Sequence, residues 1–180
     1  LFAPLDRVIA GIRARTDTPV AVLTNGSLLW REEVRRELGG ADLVVPSLDA
    51  GDPALFAQVN RPHPGITFAR MVEGLLALRR EFDGEIWLEV FLLAGLTAGE
   101  EPARAIADLA RRIGPDRVQL NTVTRPAAEE YARTVKRERM EELARLFAPP
   151  AEVIADWRQV HGRGEFRAGR EAVLELLRRR

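Results

Sequence analysis

The 180-residue chain contains no cysteine at all. Disulfides, thiolate zinc sites and cysteine nucleophiles are therefore excluded, and so is any iron–sulfur cluster held by this chain's own cysteines. Histidine is scarce too: His63 and His161 are too few for a multi-histidine metal site. Lysine is nearly absent, with Lys136 alone beside 26 arginines, which reads as compositional preference before it reads as anion binding. Neither charge sign is in excess: 27 basic and 27 acidic residues cancel, so no global field argues for nucleic acid or anionic lipid. Long apolar runs are missing as well. The longest, from Ile86 to Leu96, is interrupted by Glu89 and falls far short of the roughly 20 residues a membrane span needs. No signal peptide is visible, so a cytoplasmic setting with no membrane partner is the expectation. Because the chain opens on Leu1 and not on methionine, the natural product is expected to begin upstream.

What is present is a composition of 46% apolar and 30% charged residues, enough to bury a sizeable core in one domain plus an appendage. Four apolar runs have strand length and β-branched or aromatic character: Val20–Leu23, Leu43–Val45, Ile86–Leu92 and Val118–Val123. Helical spacing recurs between them over Leu5–Arg15, Leu28–Leu38, Thr67–Phe82 and Glu100–Ile113, with glycine stops at Gly39, Gly84 and Gly114. Alternating strands and crossover helices make a parallel α/β sheet, open or barrel-like. After Arg125-Pro126 the pattern changes. A long charged helix is expected over 127–147, a short strand near Glu152–Trp157, a turn at 162–164 and a final helix over 170–180. The charged Arg178-Arg179-Arg180 end is most simply a solvated helix terminus.

Parallel sheets and barrels bind ligands beyond the carboxyl ends of their strands. Those ends are polar here: Thr24-Asn25-Gly26-Ser27, Pro46-Ser47-Leu48-Asp49, Glu89 within the third strand, and Gln119 to Arg125 along the fourth. Strand alternation puts Trp87, Glu89 and Phe91 on one face and Leu88, Val90 and Leu92 on the other. A carboxylate inside an apolar strand needs an internal arginine, water or a cationic or hydroxyl-bearing ligand to meet it. Taken singly, each motif has a structural reading: turn chemistry for Asn25 and Gly26, capping for Ser27, Ser47 and Asp49, backbone satisfaction for Asn121. Likewise, His63 between two prolines reads as a rigid surface-loop residue, and Trp87 with Phe91 as core. Together on one rim, the polar groups make a ligand pocket.

Val22 to Ser27, then Val45 to Ala50, then Val59-Asn60-Arg61-Pro62-His63-Pro64 with a helix behind it, resemble the radical S-adenosylmethionine superfamily. The closest resemblance is to its molybdenum-cofactor and tRNA-wybutosine-enzyme branch. It spans about residues 1–126 and implies a partial (β/α)6 TIM-like barrel of parallel strands, with residues 127–180 as a helical C-terminal extension. The family's CxxxCxxC loop and Gly-Gly-Glu motif are absent, so the expectation is a barrel truncated on its N-terminal side, inactive alone. The whole enzyme would use a 4Fe–4S cluster, with ligands upstream, and an electron donor. It would split S-adenosylmethionine to a 5′-deoxyadenosyl radical that abstracts a substrate hydrogen.

By motif, Thr24 and Asn25 would lie near the methionyl or ribose part of the cofactor, and Ser47 and Asp49 would serve its amino acid or ribose. Glu89 would face the ribose or sulfonium, and Asn121 with Val123 the adenine. Arg61 and Arg125 would meet anionic substrate groups. The missing units would also leave Val20–Leu23 as an exposed edge strand prone to self-association. The rival readings are a cluster-free module that binds a nucleotide-like ligand or a partner protein, a haloacid-dehalogenase-like phosphatase, and an arginine-rich nucleic-acid binder. The phosphatase lacks its Asp-x-Asp motif, and zero net charge disfavours the last.

Overall fold

Strands of this chain carry aliphatic residues at every second position, and helices of matching apolar stripe lie between them, so burial drives the two into layers. The computed structural model describes residues 4–124, 127, 129 and 131–157. Along it run α1 (Leu5–Arg13), β1 (Ala21–Thr24), α2 (Glu32–Leu38), β2 (Leu43–Pro46), α3 (Pro53–Asn60) and α4 (Phe68–Glu81). They are followed by β3 (Glu85–Leu92), α5 (Glu100–Ile113), β4 (Arg117–Thr122), α6 (Arg137–Ala144) and β5 (Glu152–Val153). The five strands form one sheet in the order β1-β2-β3-β4-β5, all neighbours parallel. The partial barrel wall expected from the sequence is thus the architecture found.

Strand order that never reverses has a consequence. Right-handed crossovers that always step the same way stack every helix on the same face of the sheet. That face is dry: Ile86, Leu88, Val90, Leu92, Val118 and Leu120 are all buried. They meet Ile9, Leu38, Leu75, Leu78, Ile106 and Ala110 in one hydrophobic cluster. Each large aliphatic side chain removed from water there contributes about 1.5–3 kcal/mol. The opposite face carries Trp87, Glu89, Phe91, Gln119 and Asn121, all only half-buried. Parallel sheets are normally covered on both sides, so among the described residues this one has the form of a barrel wall with one face open.

Local signals explain most element ends. The Thr67 hydroxyl caps α4 by accepting from Arg70 N–H at 3.2 Å, and Arg79 and Arg80 close its last turn. Helix α3 was not expected from its Gly51-Asp52-Pro53 opening, yet Asp52 caps it by accepting from the N–H groups of Ala54 and Leu55, with Pro53 in the first turn. At the other end of the chain, the long helix expected over 127–147 shrinks to α6. Distant hydrogen bonds override its helical pattern. Val135 N–H donates to the buried Thr122 hydroxyl, Arg133 C=O accepts from Ala94, and Val135 C=O accepts from the Trp157 indole. The segment is held extended across the ends of β3 and β4, and Lys136 keeps extended dihedrals before α6 begins.

β5, at Glu152–Val153, pairs with β4, so residues past 126 continue the same sheet. At the other edge lies β1, whose Leu23 is 73% exposed. The turn at 162–164, the helix at 170–180 and His161 lie outside the described residues. No helix among the described residues is long and apolar enough to cross a membrane.

Gly74 of α4 touches the backbone of the 29–30 turn. A Cβ there would sit 2.5 Å from Trp30 N and 2.6 Å from the Leu29 carbonyl carbon. Gly74→Ala is therefore expected to lower stability by about 2 kcal/mol, despite the roughly 1 kcal/mol that alanine offers a helix. Gly11→Ala in α1, where a Cβ meets only the Arg15 guanidinium at 3.6 Å, should raise it by up to about 1 kcal/mol. Urea melts of both variants check the pair; a Gly74→Ala protein as stable as the parent contradicts this packing.

Candidate functional site

The polar groups scattered through the sequence meet because parallel register brings the strand ends level. Ser47 N–H donates to Thr24 C=O, and Leu48 N–H to Glu89 C=O, so the β2 end is laced to both neighbours. Ser47 stands opposite Glu89, and Phe91 opposite Asn121. What meets Glu89 is Asn121, whose Nδ2 donates to Glu89 Oε1 at 3.0 Å. The Asn121 Oδ1 in turn accepts from Thr122 N–H. Ser47, Glu89 and Asn121 therefore form a polar row across three adjacent strands on the open face.

Asp49 continues the row. Its Oδ1 accepts from Phe91 N–H at 3.0 Å and its Oδ2 from Asn60 Nδ2 at 2.9 Å. Burial dominates its acidity and pushes the carboxyl up to about 6; the two hydrogen bonds pull the other way, and nearby Glu89 adds to the rise. Asp49 thus pins the β2 exit to β3 and to the end of α3, a positioning task that the sequence did not reveal. Asn60, its partner, sits inside the Val59–Pro64 motif but had drawn no role. No sequence signal marks it, since only the fold brings the end of α3 to the β2 exit.

The first strand end is built differently. Thr24 Oγ1 accepts from Gly26 N–H and Asn25 Oδ1 from Ser27 N–H, while Gly26 takes φ +72°. Their side-chain oxygens shape the turn, and the Asn25 amide N–H groups and the Thr24 O–H remain as the donors they can offer a ligand. At the far end of the row, Phe91, Asn121, Val123, Thr124, Ala127 and Ala132 line a cleft of about 430 Å³. Trp87 and Phe91 are not core. Phe91 walls this cleft, and Trp87 lies half-exposed under the Arg117 guanidinium, 4.7 Å from its carbon.

Arg61 stands apart from the row. It ends α3 in the left-handed region, φ +45°, and pairs with Glu129 at 2.7 Å, an exposed contact. A second cavity of about 250 Å³ lies beside it, walled by Asn25, Ser27, Asn60, Arg61, His63 and Ile66. Arg125 lies outside the described residues.

No protein-family model matches the chain. Among curated proteins it is 44% identical over 147 residues to a protein described as GTPase Obg from Brachyspira hyodysenteriae, covering 82% of this chain and 22% of that one. It is 33% identical over 131 residues to a UPF0026 protein of Methanocaldococcus jannaschii, covering 73% of this chain and 41% of that protein. A Synechocystis UPF0026 protein is 34% identical over 122 residues, 68% of this chain and 45% of that one. The chain thus spans less than half the length of these relatives. Two solved structures share the fold. A domain of pyruvate-formate lyase-activating enzyme from Bacteroides vulgatus superposes with TM-score 0.64 at 14% identity, over 85% of this chain and 93% of that one. A radical SAM methyltransferase from Sphaerobacter thermophilus gives 0.58 at 19%, over 76% and 39%. The chain's fold is similar to that of radical SAM enzyme domains, and its sequence relatives include UPF0026 proteins.

The position of Asp49 has a measurable cost. Its carboxyl holds a proton more tightly folded, with a pKa of about 6, than unfolded, at its ordinary 3.8. Its contribution is therefore favourable at low pH and lost as pH rises from about 4 through about 6. Asp49→Asn should remove that component. The stability of the parent minus that of Asp49→Asn is expected to fall by about 2–3 kcal/mol between pH 4 and pH 7, then level off. Chemical denaturation across that range measures it, and a difference that does not vary with pH contradicts the buried-carboxyl account.

Proposed function

We propose that the polar row at the strand ends is the S-adenosylmethionine-binding part of a radical SAM iron–sulfur enzyme. The observation that carries this reading is the aligned set Ser47, Glu89 and Asn121 on the open face of a one-sided parallel sheet, beside an apolar-walled cleft.

The residues present suit the nucleoside part of that cofactor. Glu89 is a carboxylate already oriented by Asn121, able to accept from ribose hydroxyls and to face the positive sulfonium. Phe91 and Val123 offer flat and branched apolar walls to the adenine, with Asn121 as a hydrogen-bonding edge. Ser47, Thr24 and Asn25 supply hydroxyl and amide donors toward the methionyl carboxylate, and Asp49 holds the β2 exit so that Ser47 stays level with Glu89. The acidic pair Asp49 and Glu89 would favour the cationic sulfonium over its neutral thioether product.

The cluster does not suit this chain. There is no cysteine, and no group of three potential metal-ligating side chains stands together among the described residues. In this reading the cluster ligands come from outside these 180 residues. Hydrogen abstraction from a substrate, an electron donor, and Arg61 and Arg125 as contacts for anionic substrate groups belong to the same proposal.

Titrating the chain with S-adenosylmethionine by calorimetry tests the binding role. Ser47→Ala and Asn121→Ala are each expected to weaken binding about 5–30-fold, the effect of losing about 1–2 kcal/mol in a partly buried hydrogen bond. Unchanged affinity in both variants overturns the site. Tighter binding of an unrelated nucleotide than of S-adenosylmethionine overturns the cofactor. In the protein at the length of its relatives, loaded with a cluster under anaerobic conditions, release of 5′-deoxyadenosine should follow; none contradicts the radical chemistry.

A further inference from the structure

The helix layer that seals the dry face carries an open groove on its own outer side. It runs between α4 and α5, holds about 420 Å³, and has an apolar floor of Val72, Leu76 and Leu109. Val72 and Leu76 pack against the core with only part of their surface. Three exposed charged side chains rim it: Glu73, Arg80 and Arg112. The charges next to them are already committed, Arg35 to Glu81 at 2.7 Å and Arg79 to Asp116 at 2.8 Å. Glu73 and Arg80 act on the Arg35–Glu81 pair only through the longer-range field. None of the three rim residues forms an ion pair among the described residues.

The order of these charges is self-complementary. Glu73 and Arg80 are seven residues apart on α4, about two turns, so they share one stripe with Leu76 between them. Each stands about 5 Å along the helix axis from the midpoint beside Leu76, on opposite sides of it. A two-fold axis through that midpoint, at right angles to α4, lays α4 antiparallel on a second α4. It sets Leu76 on its own counterpart and brings Glu73 of each copy level with Arg80 of the other. Arg112, in the last turn of α5 on the same groove, gives each Glu73 a second guanidinium. A parallel pairing would set Glu73 on Glu73 and Arg80 on Arg80.

We propose that this groove is the contact surface of a homodimer in which α4 packs antiparallel on its copy. The apolar floor supplies the attraction, and the charges fix the register and exclude wrong pairings. A uniformly acidic partner helix would satisfy Arg80 and Arg112 but meet Glu73 with like charge, whereas a second copy satisfies all three. The groove lies on the outer side of the helix layer, across the sheet from the polar row, so the dimer is independent of the cofactor reading.

Sedimentation equilibrium of the full chain at low salt tests it. A contact built on one helix pair is small and transient, so mass should rise from monomer towards dimer between about 10 μM and 1 mM. Glu73→Arg places like charges at both ends of the groove and should weaken dimerisation about 10-fold or more. Arg80→Glu combined with Arg112→Glu should do the same. An equimolar mixture of these two variants restores opposite charges at both ends, and is expected to dimerise at least as well as the parent. That rescue also shows that both variants fold. Leu23→Lys, on the exposed β1 edge, should leave the dimer intact. The proposal is overturned if the parent stays monomeric throughout, if either charge variant dimerises like the parent, or if the mixture stays monomeric. Loss of the dimer in Leu23→Lys assigns association to the sheet edge and overturns it too.

Discussion

A carboxylate in the middle of a strand is tolerable only where water or a partner can reach it, and Glu89 sets that condition for the whole sheet. With Leu88 and Val90 on either side committed to the dry helix layer, Glu89 must face the other way. The open face cannot then be sealed by an aliphatic layer as in a doubly wound sheet. The unreversed strand order meets the same demand from the topological side, since it stacks α1, α4 and α5 on one face and, among the described residues, leaves the other face free of them. Polarity inside and aliphatic packing outside are two aspects of one constraint.

The rim follows from it. Asn121 satisfies one oxygen of Glu89, Ser47 is held level with it by the β2–β3 register, and Asp49 fastens the β2 exit to β3 and α3. Each of these residues uses part of its hydrogen-bonding capacity on the protein and keeps part of it on the open side. Keeping Asp49 charged near neutrality in this partly desolvated place costs stability. Such a cost is typical of sites that bind polar or cationic ligands.

Most of the layer structure was legible in the sequence because it rests on periodicity. The strand runs from Val20, Leu43, Ile86 and Val118 and the helical stripe of Glu100–Ile113 all report which side is dry. The rim residues were legible as types, since Thr24, Ser47, Glu89 and Asn121 break apolar runs at strand ends. Their partners were not. Asn60 on Asp49 and Asn121 on Glu89 join positions 11 and 32 residues apart, and only three-dimensional register decides such pairs. The segment before α6 failed for the same reason. Its charged, helix-favouring composition is overridden by contacts with Thr122, Ala94 and Trp157, none of which is local. Helix α3 was hidden by a turn-like opening whose Asp52 and Pro53 are equally the chemistry of a helix start. Composition alone assigns Trp87 and Phe91 to the core, where aromatics usually lie, and only the one-sidedness of the sheet puts them on the polar face.

Amide hydrogen exchange read by mass spectrometry, with and without S-adenosylmethionine, tests the central claim most directly. New protection is expected in three stretches only, 47–50, 89–92 and 120–124, with the helix-covered core unchanged. Protection that falls on the outer helices while these strand ends exchange as before would contradict it.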